Sequence, residues 1–536
     1  MKKLKNHLGA ALSVLLLFFT ICFVIGVICW EQRKLSDRKP QQSQEASWES
    51  SNAETGVTED SETESQESPN GESSDLETEN SESESQSGEN QQAEEPETAD
   101  RSLEEEVQLP YEPPCLAIVS DLHYQSRAIT DFGKAYRDFL ASSDGKLVDY
   151  LPEILDACAE EIVSMSADAL ILSGDITMNG ERENHLELAE KLAEIQKAGV
   201  PVLVIPGNHD INNPHASYYF GDTRTQGNSV TPEEFYEIYR DFGYDQARSR
   251  DDASLSYVYE LDERYWLMML DTCQYEPVNL VGGRLRSETL LWMDRELEAA
   301  KEAGVTVIPV GHHNLLPQSS LYTTDCAMDN YEEVTELLEK WRLPVYVSGH
   351  LHVQRLKKHN GQQLPEERLG PGPRLTAKRK AEQEEEPYGI YEIVSDSIGI
   401  APCQYGVMRW DEEGNMTYQT RLTDVSGWAK KNRSSNPELL DFGAYSHQYV
   451  KELIASQIEK KMDPVSWELV GDMTELYADL YETYYAGKVI DEKAVKGSVA
   501  WQWWIRLLPD SRQVREMRAM IGDSKKDNNY LYLPNK

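Results

Sequence analysis

A chain of 536 residues exceeds what one hydrophobic core organises, so it should divide into a tail and at least two folded units. Its net charge of −42, from 94 acidic against 52 basic residues, excludes a nucleic-acid-binding surface built on clustered Lys and Arg, so an anionic ligand must be held by other means. Of the seven cysteines, Cys22 and Cys29 lie in an apolar run, while Cys115, Cys158, Cys273, Cys326 and Cys403 are dispersed without CxxC spacing, which excludes a disulfide framework and a thiolate metal site.

In chain order, residues 1–7 are a short flank carrying Lys2, Lys3 and Lys5, and residues 8–30 are an uncharged apolar run. As a helix the run is long enough to span a hydrocarbon core of ~30 Å. It ends without a small-x-small cleavage site, which predicts an uncleaved transmembrane signal anchor, and Ile28 disfavours lipoprotein processing at Cys29. Arg33, Lys34, Arg38 and Lys39 follow, so flanking charge alone does not orient the helix. Residues 31–110 read as a disordered acidic tether. Between Gln41 and Glu106 stand 22 acidic residues and one basic one, Arg101, which is half of the net charge in a segment with almost nothing apolar to bury. That tether favours a single-pass protein of the cell membrane with its folded part outside the cytoplasm.

From Cys115 onward short apolar runs alternate with helical periodicity. Leu116–Ser120, Ala169–Ser173, Val202–Pro206, Trp266–Leu270, Val305–Val310 and Val345–Ser348 read as buried strands. Leu151–Ser164, His185–Ala198, Arg286–Ala303 and Tyr331–Trp341 read as the helices between them. The pattern predicts an α/β domain over 111–425, with a charged, Gly- and Pro-containing flexible insertion at 357–387. Strands at Ile390–Ser395 and Gly406–Trp410 should close the second half of a sandwich. A C-terminal helical domain is expected over 436–536, with helices at Glu438–Met462, Val465–Ala486 and Ala494–Leu508. Its aromatic residues Tyr477, Tyr481, Tyr484, Tyr485, Trp501, Trp503 and Trp504 read first as a core or docking face, and second as a wall of a substrate cleft.

Residues able to bind metal follow the predicted strands. Asp121 and His123 follow the first, Asp175 the second, Asn208 and His209 the third; His312 with His313 and His350 with His352 follow two later ones. An isolated Asp-x-His pair, or Gly174 with Asp175, is commonly a turn. Nine such side chains at five strand ends are not explained by unrelated turns, because strand ends of an open sheet converge on one crevice. A dinuclear centre needs a carboxylate that bridges two cations, neutral imidazoles that hold them, and room for a shared hydroxide. In Gly207-Asn208-His209-Asp210 and Gly349-His350-Leu351-His352, glycine lets the backbone turn where ligands must cluster.

In this order, the five blocks resemble the calcineurin-like metallophosphoesterase superfamily over roughly Cys115 to Trp410. Ile205–Pro214, Ser254–Tyr259, Leu270–Thr272 and His312–Leu316, with the helical appendage after them, resemble its bacterial extracytoplasmic cyclic-nucleotide phosphodiesterase branch. The resemblance implies a four-layer αββα sandwich and two metal ions, typically Fe and Mn. Asp121, His123 and His352 would hold the first, Asp175 would bridge, and Asn208, His312 and His350 would complete the second. His209 would stabilise the transition state and protonate the leaving oxygen during in-line attack by a metal-bridging hydroxide. The implied substrate is a small phosphodiester, with 3',5'-cyclic nucleotides among the candidates. Phosphomonoesters, nucleotides, envelope polymers and a non-catalytic metal scaffold remain alternatives. Many members carry an Arg soon after the Gly-Asp block; here Ile176-Thr177-Met178-Asn179-Gly180 follow, so no Arg there can grip substrate.

Around these ligands, His313 is expected to be a supporting histidine, and Asp210 and Asp271 either orient imidazoles or cap turns. His185, early in a polar helix, is expected to be solvated. His215, His359 and His447 suggest no partner.

Overall fold

The computed structural model describes residues 111–142, 145–359, 389–459 and 467–535. The apolar run 8–30, the tether 31–110 and nearly all of the insertion 357–387 lie outside the described residues. Among the described residues no helix is long and apolar enough to cross a membrane.

β1 (Cys115–Val119), β2 (Ala169–Ser173) and β3 (Val202–Ile205) are parallel neighbours in which every residue is buried, which is why each reads as an unbroken apolar run. The helices Leu151–Ser164 and Arg182–Lys197 make the two crossovers. β4 (Ser217–Phe220) and β5 (Thr223–Gln226) form a separate hairpin. The second sheet contains β6 (Ser249–Arg250), β7 (Tyr257–Glu260), β8 (Tyr265–Leu270), β9 (Thr306–Gly311), β10 (Val345–Ser348), β11 (Arg355–Lys358) and β12 (Tyr391–Val394), in the order β11-β12-β10-β9-β8-β7-β6. β13 (Gln404–Trp410), β14 (Met416–Leu422) and β15 (Tyr530–Leu533) extend the first sheet, whose order is β15-β14-β13-β1-β2-β3.

β8 shows how the layers stack. Leu267 and Met269 join Val310, Val347, Ile393 and strands β1 to β3 in one core. The alternate residues Trp266, Met268 and Leu270 face a second core with Met293 and Leu297 of the helix Ser287–Ala303 and Val334 and Leu338 of the helix Tyr331–Lys340. The architecture is thus a mixed α/β fold followed by a helical region. One expectation needs correction: the strands after the insertion do not close one half together. β12 sits between β10 and β11 in the second sheet, while β13 pairs with β1 in the first.

The helical region packs around Trp504, Tyr484 and Met473, all fully buried, together with Tyr477, Tyr481, Tyr485 and Trp501. Each such side chain contributes about 1.5–3 kcal/mol by burial, so the aromatics are core, as their first reading held. Val353 and Ile400 of the α/β part belong to the same cluster, and the chain then returns to add β15 beside β14. The helix expected over Ala494–Leu508 is broken: Ser498 ends Glu492–Gly497 and its side chain caps Val499–Leu507 by accepting from the Trp501 N–H. The first long helix runs over Phe442–Glu459, after a short turn of helix at Pro437–Leu440.

Candidate metal centre

The strand ends of β1, β2, β3, β9 and β10 bring the metal-type side chains together in two abutting sets. In the first, His352 Nε2 lies 3.4 Å from Asp121 Oδ1 and 2.9 Å from His123 Nε2, and His123 Nε2 lies 3.9 Å from Asp175 Oδ2. In the second, His312 Nε2 lies 3.3 Å from Asp175 Oδ2, 3.3 Å from Asn208 Oδ1 and 3.2 Å from His350 Nδ1. Asp175 Oδ2 is therefore faced by imidazole nitrogens of both sets. The potential donor atoms of Asp121, His123, Asp175 and His352 all lie within 4.8 Å of one another.

Holding these atoms together distorts the backbone. Asp121, His123, Asp175, His350 and His352 all adopt positive φ, between 48° and 71°, a region that side chains beyond glycine enter at a cost of about 1–2 kcal/mol. Hydrogen bonds between the loops retain it. The Asp121 N–H donates to the Gly174 carbonyl, the His123 N–H to the Asp175 carbonyl at 2.9 Å, and the His350 N–H to the Asp121 carboxylate at 2.9 Å. The Asp175 carboxylate also accepts from the His209 N–H at 2.7 Å. Gly207 and Gly349 are needed for clearance rather than for φ: a Cβ on Gly207 would stand 2.1 Å from the Asp175 nitrogen, and one on Gly349 would stand 1.8 Å from Ser120 Oγ.

The electrostatics suit a cation. Burial would raise the carboxyls of Asp175 and Asp121, but the imidazoles around them outweigh it, holding Asp175 well below and Asp121 below the usual range. Conversely, burial disfavours a charged His312, yet Asp175 and Asp121 push it up to about 9. This field attracts positive charge, and a bound cation would displace those protons. His123 is held well below its usual value by burial and by Lys146, and His350 is lowered to about 4 by burial and by His312, so both present the neutral form that ligates. Oxygen and imidazole donors, a shared carboxylate and neutral rings fit a pair of metal ions.

The supporting contacts assign nitrogens. His312 Nδ1 donates to the Ser173 carbonyl, leaving Nε2 for the centre, whereas His350 Nε2 donates to the Asp325 carbonyl at 2.8 Å, leaving Nδ1. Among the described residues His123 Nδ1 has no hydrogen-bond partner. Both nitrogens of His313 are engaged, with Thr272 Oγ1 at 2.8 Å and the Val281 carbonyl at 2.9 Å, so it braces the loop although it lies beside His312 and His350. The Asp210 carboxylate orients no imidazole: it accepts from the N–H groups of Gly207, Ile176 and Thr177 and from the Thr177 hydroxyl. Asp271 likewise holds Leu255, Cys273 and Tyr275. His209 points Nδ1 at the Met178 carbonyl, 2.7 Å away, and stands edge-on to His123 with ring centroids 4.9 Å apart.

Other expectations change. His185 is not solvated but fully buried, bonded to Tyr239 and the Asp210 carbonyl, because its helix turns this residue toward the loop that carries the ligands. His359 pairs with Glu339, and His447 with Glu475 and Glu482. Sequence reasoning missed Lys146, a buried cation close enough to depress both His123 and His209, and Asn279, whose amide donates to the carbonyls of Asn208 and Ile211. Neither follows a recognisable strand, so no local pattern announces it.

Residues 116–354 match the calcineurin-like phosphoesterase family, and residues 424–527 match the C-terminal domain of cyclic nucleotide phosphodiesterase. A relative from Xenorhabdus bovienii is 21% identical over 193 residues, 36% of this chain and 64% of its own length. One from Psychrobacter arcticus is 23% identical over 246 residues, 45% of this chain and 75% of its own. Both bear the name probable cyclic nucleotide phosphodiesterase. A solved dimetal phosphatase from Danio rerio is 13% identical, with 58% of this chain and 97% of that one covered at a TM-score of 0.38. The segment 116–354 is thus a calcineurin-like phosphoesterase domain, joined in one chain to a C-terminal domain of the cyclic nucleotide phosphodiesterase type.

Proposed function

We propose that this protein hydrolyses phosphodiesters, 3',5'-cyclic nucleotides among them, at a centre that takes two metal ions, iron, manganese or both. The observation that carries the reading is Asp175, whose Oδ2 is faced by His123 Nε2 from one donor set and by His312 Nε2 from the other. Asp121, His123 and His352 would hold one ion, and Asn208, His312 and His350 the other, with Asp175 shared. When bound, two such ions supply a nucleophile at neutral pH and positive charge for the phosphoryl oxygens. The names borne by the Xenorhabdus and Psychrobacter relatives support the cyclic-nucleotide part of the reading.

The remaining work falls to the chain. The Asp210 hydrogen bonds fix the two loops that carry Asp175 and Asn208. The Met178 carbonyl and Asn179 Oδ1 both accept from His209 Nδ1, which fixes the ring and leaves Nε2 for the leaving oxygen; burial lowers the pKa of the free ring, and the anionic phosphodiester would restore the proton that Nε2 donates. Lys146 adds a fixed positive charge near that ring, in a domain that has no Arg among residues 176–180 after its Gly-Asp block.

Metal analysis with a substrate panel tests the proposal. Two ions per chain and turnover of 3',5'-cyclic nucleotides are expected; monoester turnover alone would overturn the diester reading. Replacing His209 by Ala should lower turnover about 10²–10⁴-fold while both ions remain. Loss of an ion would refute its role as proton donor. We also propose that residues 8–30 anchor the protein in the cell membrane with the folded part extracytoplasmic, so protease added to intact cells should digest it.

A further inference from the structure

The segment from Leu315 to Ala327 joins three parts of the molecule. At its root, beside His312, the buried Glu392 carboxylate accepts from the N–H groups of Leu315 and Leu316 and from the Gln318 amide. At its far end, the Asn314 N–H donates to the Cys326 carbonyl, closing the loop, and the Asp325 carbonyl receives His350 Nε2–H. Asp325 has φ 58°, so its carbonyl is aimed by a backbone conformation that needs outside support.

That support comes from the helical region. Asp523, the last residue of the helix Arg512–Asp523, accepts from Ser319 Oγ at 3.0 Å, from the Ser320 N–H at 2.8 Å and from Ser320 Oγ at 2.7 Å. Tyr484 Oη meets Ser319 Oγ at 2.7 Å, Tyr485 Oη meets Tyr322 Oη at 2.5 Å, and Leu321 and Tyr322 pack against the helical core. On the other side Tyr481, its ring tilted against that of Tyr485, lies so close to Gly145 that a Cβ there would stand 2.2 Å from its hydroxyl, and Gly145 precedes Lys146. One row of tyrosines therefore touches two segments that border the metal centre.

We infer that the helical region is the positioning element for the second metal ion: through Asp523 and Tyr485 it fixes the loop 315–327, whose Asp325 carbonyl sets the His350 tautomer that leaves Nδ1 to ligate. A ligand imidazole loses about 10–100-fold in metal affinity when the partner of its other nitrogen is removed. Asp523 is a positioning residue, acting on His350 only through the loop. The first ion would be held by Asp121, His123 and His352, none of which hydrogen-bonds to the loop 315–327 among the described residues. The inference rests on the dinuclear reading proposed above.

Calorimetric titration of the full-length chain with Mn²⁺ tests it. The wild-type protein should bind two ions, and His350→Ala should abolish the second; if it does not, the dinuclear reading itself fails. Asp523→Ala and Tyr485→Phe should each weaken the second step, Asp523→Ala by about tenfold, with the first step unchanged. Asp523→Asn, which keeps one acceptor oxygen, should fall between Asp523→Ala and wild type. The unchanged first step reports that each variant is folded. If His350→Ala loses the second ion while Asp523→Ala and Tyr485→Phe bind it as tightly as wild type, or if both steps weaken equally, the positioning role is overturned.

Discussion

Replacing Gly207 by Ala should strip the metal centre while leaving the fold standing. The added Cβ would lie 2.1 Å from the Asp175 nitrogen and 2.3 Å from its Oδ1, where ordinary contact begins near 3.4 Å, so more than 1 Å must be recovered. The nearer atom is backbone and cannot rotate away. Forcing such space into a packed interior costs about 1–3 kcal/mol, which lowers the melting temperature by about 2–12 °C at roughly 2–4 °C per kcal/mol. The effect on metal is larger, because ligand distances tolerate only about ±0.2 Å and the displaced residue is the one both donor sets share. Gly199→Ala provides the contrast: nothing lies within 4 Å of a Cβ there, but φ is +98°, so it should lose about 1–2 kcal/mol and no metal. Differential scanning calorimetry with metal analysis reads both quantities. Two ions retained in Gly207→Ala at wild-type affinity would refute the argument that this glycine exists for clearance.

Asp210→Ala should leave the buried N–H groups of Gly207, Ile176 and Thr177 without their acceptor and destabilise by roughly 3 kcal/mol, measured by urea unfolding; a loss under ~0.5 kcal/mol would show that the loops hold themselves. His447 joins the helices Phe442–Glu459 and Trp467–Tyr485: burial opposes its charge, but Glu482 and Glu475, the latter shared with Lys451, outweigh burial and raise its pKa. A raised folded value means that its stabilisation is complete below the unfolded pKa of ~6.5 and fades as pH climbs through the folded value. The melting temperature should therefore fall over that window in wild type, and His447→Gln should flatten the fall; an unaltered slope would remove the ion pairs from the explanation.

The sequence reveals most about the site where chemistry and secondary structure coincide. β1, β2 and β3 are buried on both faces, so they appear as apolar runs, and the polar residue that ends each run had to be there for a reason other than packing. The same local reading misjudged His185, because helical periodicity describes a face but not which neighbour covers it; Tyr239 and the Asp210 carbonyl come from distant segments. Gly497 and Ser498 were a legible stop and cap inside the helix expected over Ala494–Leu508, overlooked beside a strong aromatic pattern. Asp325 was beyond reach altogether, since a backbone carbonyl contributes the same atom whatever residue bears it.

β15 has a consequence for how the molecule assembles. Its partner β14 ends at Leu422, so the two adjacent strands are separated in sequence by the whole helical region, roughly a hundred residues. Closing a loop of that size costs only slowly growing entropy once its interior is ordered, but pairing before then is disfavoured, and contacts this distant in sequence slow folding. The edge of the first sheet should thus be the last part to zip. Until it does, β14 presents open hydrogen-bonding groups to any other chain, and a lesion among the helices would surface first as aggregation through that sheet.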